Sequence, residues 1–323
     1  MRTNMLLLSL LMLTPTVLAN NTNLANQVEA LWQVKNYQAA QALLADKVNK
    51  KSKDSQLLAL WGETEAKLNN IDLAEEILKK AIQLDGSNAD YQHWYATASC
   101  NKAASVSMFS ALGYAKRCKK AYEAALALAP EHPRSYIALG SYLAQAPSIA
   151  GGDKKAALEL VNQLKKIDEL QGLLLELKMT DFKDEAMFEQ FLADKEILTQ
   201  RPEAYFYRGQ QLSSSEDYSG AIGYFQLALQ QAAVDDDAVT ILAETRYQLA
   251  RNAVLGQTAA TEGIVVLTQY LTESTDAKRN EWAKYRLAQL HLLNDDKGSA
   301  QLIVDELLAT TQDEKLKHAL SDL

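Results

Sequence analysis

The only thiol-bearing residues in the chain are two cysteines, Cys100 and Cys118. Their separation excludes a redox-active Cys-x-x-Cys pair, so the chemistry left to them is structural. In an exported protein such a pair favours a disulfide that staples the loop between the two residues. The alternative is two buried free thiols that act as small packing residues.

Other groups that could catalyse a reaction or bind a metal are scattered along the chain. The four histidines have no second histidine and no cysteine at metal-ligand spacing; they are His93, His132, His291 and His318. The acidic runs 235–237 and 295–296 do not match a calcium-binding loop, and no serine lies in a nucleophile-elbow motif. The sequence therefore predicts a protein that is not an enzyme and that uses no metal or cofactor.

The N-terminus has the pattern of a secretory signal peptide. Arg2 precedes an apolar run from Met5 to Leu13, and Val17-Leu18-Ala19 offers a small residue for cleavage. We expect residues 1–19 to be removed and the rest to be periplasmic, although outright secretion is also compatible with this pattern. No later apolar stretch approaches the roughly 20 residues that span a bilayer, so no membrane insertion is expected after cleavage.

The chain is acidic, with a formal net charge of −8. An acidic protein repels phosphate backbones, which argues against nucleic acid as a partner and against anionic lipid as well. Only five prolines and thirteen glycines interrupt the chain, which favours helix throughout.

Small residues recur at a fixed spacing of twelve and then seven positions. The clearest copies are Gly62, Ala74 and Ala81, and then Gly209, Ala221 and Ala228. Two helices pack closely only where a small side chain lets their backbones approach, so this spacing predicts a repeated helical hairpin.

These hairpins resemble tetratricopeptide repeats, most clearly over residues 57–85 and 205–228. The loop 146–153, Ala-Pro-Ser-Ile-Ala-Gly-Gly-Asp, is similar to an inter-helix loop of a subgroup of exported bacterial repeat proteins. The resemblance implies an all-α, right-handed solenoid of about eight hairpins. We expect N-terminal repeats over residues 20–168, a degenerate hairpin over 169–201, and C-terminal repeats with a capping helix over 202–323.

The resemblance also implies a binding groove lined by the first helix of each hairpin. The residues expected to face or border it are His93, Trp94, Thr97, Arg134, Ser141, Phe206, Tyr207 and Gln210. Each aromatic residue among them has an equal alternative, which is burial between repeats. The lysines and asparagines of the family's carboxylate clamp are absent, so recognition of an acidic C-terminal tail is not expected.

A groove with aromatic and hydrogen-bonding side chains suits an extended peptide or a partner helix. The function expected from the sequence is therefore a non-enzymatic, periplasmic protein-interaction scaffold. The alternative is a small-molecule or lipid carrier of an envelope transport system, with an apolar pore lined by Trp94, Phe206 and Tyr207.

Overall fold

A computed structural model describes the backbone of residues 15–323 and the side chains from residue 23 onward. The predicted signal peptide, residues 1–19, thus lies for the most part outside the described residues. In the described part, all regular elements are helical. They are α1 (Pro15–Gln33), α2 (Tyr37–Ala45), α3 (Ser55–Lys67), α4 (Ile71–Leu84), α5 (Ala89–Ser105), α6 (Met108–Leu128), α7 (Pro133–Gln145), α8 (Lys154–Ile167), α9 (Glu169–Met179), α10 (Glu185–Leu192), α11 (Glu196–Thr199), α12 (Pro202–Ser214), α13 (Tyr218–Leu229), α14 (Asp236–Leu255), α15 (Ala260–Glu273), α16 (Ala277–Leu293), α17 (Lys297–Thr310) and α18 (Glu314–Ser321), with a 3₁₀ turn at Ser148–Ala150.

The chain divides into two compact units between Asp168 and Glu169. Unit 1 contains four helical hairpins, formed by α1 with α2, α3 with α4, α5 with α6, and α7 with α8. Each hairpin also packs against the next one along the chain, and the first helices approach one another, α1 against α3 and α3 against α5. This successive stacking is the architecture of an all-α solenoid.

Unit 2 begins with three short helices, α9 to α11, where the sequence predicted one degenerate hairpin. Three regular hairpins follow, formed by α12 with α13, α14 with α15, and α16 with α17. The last helix, α18, packs on α16 and α17 through the buried side chains of Leu316 and Leu320. Among the residues from 15 onward, no helix is both long and apolar enough to cross a membrane.

The recurring small residues lie where helices touch. A Cβ atom added to Gly62 on α3 would come within 2.6 Å of Leu78 Cγ on α4, so only glycine fits this crossing. Ala74, Ala81, Ala221 and Ala228 are each 0 % exposed. The predicted hairpin spacing is therefore confirmed by the packing.

Aspartate and asparagine side chains begin many of the helices. Asp235 accepts a hydrogen bond from the Ala238 N–H at the start of α14, and Asp296 accepts one from the Ser299 N–H at the start of α17. Such caps satisfy backbone donors that have no partner within the helix. One aspartate of each acidic run, 235–237 and 295–296, is thus the N-cap of a helix.

A buried ion network joins the starts of α12 and α14. The Arg201 guanidinium contacts Glu203 Oε1 at 2.7 Å and Asp235 Oδ2 at 2.7 Å. The Glu203 side chain is only 2 % exposed, so the arginine neutralises a carboxylate that has lost its water. The nearby guanidinium also lowers the pKa of Asp235.

Candidate functional site

Cys100 on α5 and Cys118 on α6 form a disulfide, with their Cα atoms 5.2 Å apart. The sequence left open a disulfide or two buried free thiols, and the structure contains the disulfide. It ties together the two longest neighbouring helices of unit 1, and it leaves neither thiol available as a nucleophile or a metal ligand.

The first helices of unit 1, α1, α3, α5 and α7, form a surface that we call the first-helix face. Two tryptophans lie at its centre: the ring centroids of Trp32 on α1 and Trp94 on α5 are 5.7 Å apart in an edge-to-face arrangement. The indole N–H of Trp32 donates to Thr64 Oγ1 on α3 at 3.1 Å. Three successive first helices thus meet at one aromatic pair, in which both rings are half-buried.

Charged groups lie beside this pair. Lys67 Nζ on α3 is 5.3 Å from the ring centroid of Trp32, within cation–π range. The same ammonium group contacts Glu63 Oε1 at 3.1 Å. Burial raises the pKa of the Glu63 carboxyl, against the lowering effect of Lys67 and of Arg134 on α7.

His93 lies between α5, α6 and α7. Its ring is 5.3 Å from the ring of Tyr122, and its Nδ1 atom is 3.5 Å from Ser135 Oγ. Burial, with a smaller contribution from the positive charge of Arg134, lowers the pKa of His93 to about 4. The imidazole is therefore neutral near pH 7, where it can exchange hydrogen bonds but cannot pair with a carboxylate as a cation.

The other predicted groove residues of unit 1 differ in how free their polar atoms are. Thr97 Oγ1 donates to the His93 carbonyl at 3.1 Å and lies 2.9 Å from the Tyr122 hydroxyl, so its one proton and one of its two acceptor positions are already engaged. Arg134 has a 59 % exposed side chain and a long, 3.4 Å contact to Asp90 Oδ1, which leaves most of its donors facing solvent. Ser141 lines a depression of about 320 Å³ together with Cys100 and Tyr122.

The position of Phe206 corrects the expectation from the sequence that this residue lines the groove. Its side chain is 3 % exposed and packs against Phe225 on α13, with ring centroids 6.0 Å apart. Phe206 shares a helical face with Gly209, three positions on, and that face is the one against which α13 packs. It therefore belongs to the core of unit 2 and does not line a groove.

Tyr207 and Gln210 of unit 2 remain half-buried at the surface. Lys178 Nζ on α9 lies 4.7 Å from the Tyr207 ring centroid. Phe206 is one of the three residues expected to line the apolar pore of the carrier alternative, and its burial excludes it from such a lining. Among the described residues, no group of three or more histidine, cysteine, aspartate or glutamate side chains is placed to hold a metal ion.

Unit 2 has a cationic cluster of its own that the sequence reasoning missed. The guanidinium carbon of Arg279 lies 4.3 Å from the Tyr247 ring centroid, and Arg286 Nε donates to the Tyr247 hydroxyl at 3.1 Å. Arg279 also contacts Glu244 Oε2 at 2.5 Å. These side chains connect α14 with α16, and their charged and hydrogen-bonding groups mainly contact one another.

Sequence reasoning also missed Trp32, Glu63 and Lys67. They lie outside the two hairpins that carry the other unit 1 groove residues, and only the approach of α1 and α3 to α5 brings them beside Trp94. A signal was present in the sequence, because Glu63 and Lys67 are four residues apart on the helix that carries Gly62 and are one turn from each other.

No protein-family model matches the chain, and no curated protein matches it. Among solved structures, the chain is similar to a thermophilic tetratricopeptide-repeat protein of Thermus thermophilus, at 15 % identity and a TM-score of 0.45, covering 70 % of this chain and 98 % of that one. A tetratricopeptide-repeat protein of Parabacteroides merdae is similar at 12 % identity and a TM-score of 0.46, covering 93 % of this chain and 97 % of that one. The Cut9–Hcn1 assembly of the APC/C is similar at 16 % identity and a TM-score of 0.48, covering 92 % of this chain and 48 % of the matched chain. At TM-scores below 0.5 these likenesses carry no argument about function, and the hairpin architecture rests on the contacts described above.

Proposed function

We propose that the protein is a non-enzymatic scaffold that binds a segment of another protein across the first-helix face of unit 1. The observation that carries this proposal is the Trp32–Trp94 pair, which joins three successive first helices and keeps part of both rings accessible. Half-buried aromatic rings that are held in place by neighbouring side chains are the usual anchors of protein interfaces, because they add contact area at a small cost in side-chain entropy.

The side chains around the pair indicate the chemistry of the bound segment. An apolar side chain of the segment packs on the tryptophans, where it excludes water from the Lys67–Glu63 pair. The exposed guanidinium of Arg134 supplies donors for one carboxylate or for backbone carbonyls of the segment. His93, being neutral, accepts or donates a single hydrogen bond. An extended peptide or one face of a helix meets these requirements.

We further propose that the protein acts in the periplasm of a Gram-negative-type bacterium. The signal-peptide pattern of residues 1–19 supports export. The Cys100–Cys118 disulfide supports it independently, because such bonds persist in oxidising compartments and are rare in the cytosol. Fractionation of cells that produce the tagged protein distinguishes the periplasm from outright secretion, and recovery from the cytosol in reduced form would contradict export.

Site-specific photocrosslinking tests the binding face. A photoreactive amino acid replaces the exposed Arg134 in one variant and Lys79, an exposed residue of the second helix α4, in a matched control. We expect one defined protein adduct from position 134 and none from position 79. The same adduct should disappear when Trp94→Ala is added, with the helical circular dichroism unchanged.

Three outcomes count against the proposal. The first is equal adduct formation at positions 134 and 79, and the second is an adduct at 134 that survives Trp94→Ala. The third is the absence of any protein adduct at position 134 in cells that contain the native partner complement.

A further inference from the structure

The α5–α6 hairpin extends beyond its neighbours in unit 1. Lys102 on α5 contacts Asp72 near the start of α4, and the Tyr142 hydroxyl on α7 donates to the Ala115 carbonyl on α6 at 3.0 Å. Residues 103–114 lie on the far side of both contacts, and we call them the tip. Met108 and Ala115 are seven positions apart on α6, so the tip is about 10 Å long.

The end of the tip is apolar and open to solvent. Met108 is 88 % exposed and Phe109 is 100 % exposed. One turn further along α6, a Cβ atom added to Gly113 would meet nothing within 4 Å. A phenylalanine side chain that is fully hydrated forgoes the stabilisation that burial would give, so the full exposure of Phe109 favours a role in contact with another surface.

The charge near the tip is opposite to that of the whole chain. The sequence has no acidic residue between Asp90 and Glu123, whereas Lys102, Lys116, Arg117, Lys119 and Lys120 all lie there. Lys102 pairs with Asp72, and Lys119 pairs with Glu123. The chain as a whole has a net charge of −8. A stretch without carboxylates, in which Lys116 and Lys120 are exposed, thus adjoins the two most exposed large apolar side chains of the described residues, Met108 and Phe109.

Two of these lysines are aligned with the exposed phenylalanine. Lys116 and Lys120 are exposed, and they follow Phe109 by seven and eleven residues, which places all three on one face of α6. Along the helix axis they lie about 10 and 16 Å from Phe109. Apolar side chains at a membrane interface enter about 5–10 Å into the boundary between headgroups and acyl chains, so with α6 entering end-on Lys116 would lie near the level of the lipid phosphates.

We propose that the tip docks on an anionic phospholipid surface, with Met108 and Phe109 inserted among the headgroups and acyl chains and with Lys116 and Lys120 at the phosphates. Two adjacent apolar side chains on a convex tip need no complementary cavity, which favours a fluid surface over a shaped protein pocket. This site is independent of the first-helix face.

The net negative charge of the chain does not prevent such docking. At physiological ionic strength the Debye length is about 8 Å, so carboxylates further than this from the bilayer are largely screened. A single cation close to an anionic bilayer strengthens binding about fivefold. The Cys100–Cys118 disulfide joins α5 to α6 next to the tip. Docking therefore does not require the loss of conformational entropy that ordering a flexible hairpin would cost.

Vesicle flotation tests the proposal. The full chain is mixed with vesicles of phosphatidylcholine containing phosphatidylglycerol, or of phosphatidylcholine alone, and wild type and variants are compared side by side. Any contribution of the apolar run from Met5 to Leu13 is then common to all samples. We expect Met108→Ser/Phe109→Ser to lower the affinity for anionic vesicles at least tenfold and Lys116→Gln/Lys120→Gln to lower it roughly thirtyfold. Leu302→Ser, at a residue of unit 2 that is 72 % exposed, is the matched control and should change nothing.

A second readout reports insertion itself. In Phe109→Trp, the added tryptophan fluorescence should be quenched by brominated lipid in anionic vesicles only. Equal flotation of wild type and the Met108→Ser/Phe109→Ser variant would overturn the proposal, as would the absence of quenching. Crosslinking of position 109 to a protein without any vesicle binding would assign the tip to a protein pocket instead. Trp94→Ala should leave flotation unchanged, so the failure of either proposal is distinguishable from the failure of the other.

Discussion

Gly209 on α12 lies against the ring of Phe225 on α13 so closely that a Cβ atom at Gly209 would be 2.7 Å from Phe225 Cε1. Phe225 is 0 % exposed, and its ring has no room to retreat. The contact between these two residues sets how near the two helices of the hairpin can come to each other.

Gly209→Ala should therefore destabilise the protein although alanine is the better helix former. The helix propensity of alanine contributes about 1 kcal/mol, and overpacking against a buried ring costs about 1–3 kcal/mol. We expect a net loss of about 1 kcal/mol in the free energy of unfolding, measured by urea denaturation. Gly223→Ala on α13 is the matched control, because a Cβ there meets nothing within 4 Å, and it should stabilise the protein. Stabilisation by both substitutions would contradict the packing argument.

Stability should depend on pH through His93. Its folded-state pKa of about 4 lies below the ordinary value of 6.5, so the unfolded chain binds more protons between these two pH values. The stabilisation of the folded state that depends on a neutral His93 imidazole is fully present above pH 6.5 and is lost as the pH falls toward 4. The total effect is roughly 3 kcal/mol, from about 1.36 kcal/mol for each pKa unit.

The measurement compares the free energy of unfolding of wild type with that of His93→Gln between about pH 4 and 7. We expect the difference in slope to vanish above pH 6.5. His318→Gln, at an exposed residue of α18, serves as the control and should keep the wild-type slope. An unchanged slope in His93→Gln would refute the assignment to His93.

Arg201→Met should be among the most destabilising substitutions in unit 2. It removes the partner of Glu203, whose side chain is 2 % exposed, and leaves a buried carboxylate without compensation. Such losses cost about 3–5 kcal/mol, whereas replacement of both charges by apolar groups is often close to neutral. Arg201→Met/Glu203→Leu should thus recover most of the stability, as measured by thermal or urea unfolding. A double variant no more stable than the single one would mean that Arg201 acts chiefly through Asp235.

Reduction of the Cys100–Cys118 disulfide should lower the free energy of unfolding by roughly 3 kcal/mol in the chain-entropy model, since it releases a loop with a sequence separation of 18. Denaturation with and without reductant measures this loss. The Cys100→Ala/Cys118→Ala variant should be insensitive to reductant. Labelling of two thiols in the unreduced, denatured protein would show that the bridge does not form.

The fold was predictable from the sequence because close helix contacts leave a direct trace in residue size. Gly62 and Gly209 occupy equivalent crossings, and the alanines twelve and nineteen positions after each of them are buried. Two hairpins carry extra residues: between α7 and α8 these form the loop that contains Gly151, whereas in the α5–α6 hairpin they lengthen both helices and leave only residues 106–107 between them. The resemblance to tetratricopeptide repeats then supplied the expected order of first and second helices.

The site was predicted less well, because a groove depends on which side chains remain uncovered after packing. Aromatic residues such as Phe206 occur both in cores and in binding grooves, so the residue type did not decide between the two. Its spacing of three residues from Gly209 indicated the core. Three helices lie between Trp32 and Trp94 in the sequence and one lies between Lys67 and Trp94. No local pattern indicates that α1 comes within reach of α5. Arg134 could be predicted as exposed, since it lies in the first turn of a helix that begins with Pro133.

The stacking of each hairpin on its immediate neighbours has a consequence for how damage spreads. In such an array, contacts link only adjacent repeats, so stability is close to a sum of local contributions. A defect at the α12–α13 crossing should accelerate amide hydrogen exchange in those helices and in the adjoining α14, while the amides of α3 and α4 keep their protection. The molecule would then fray one segment at a time and would not lose its structure in a single step.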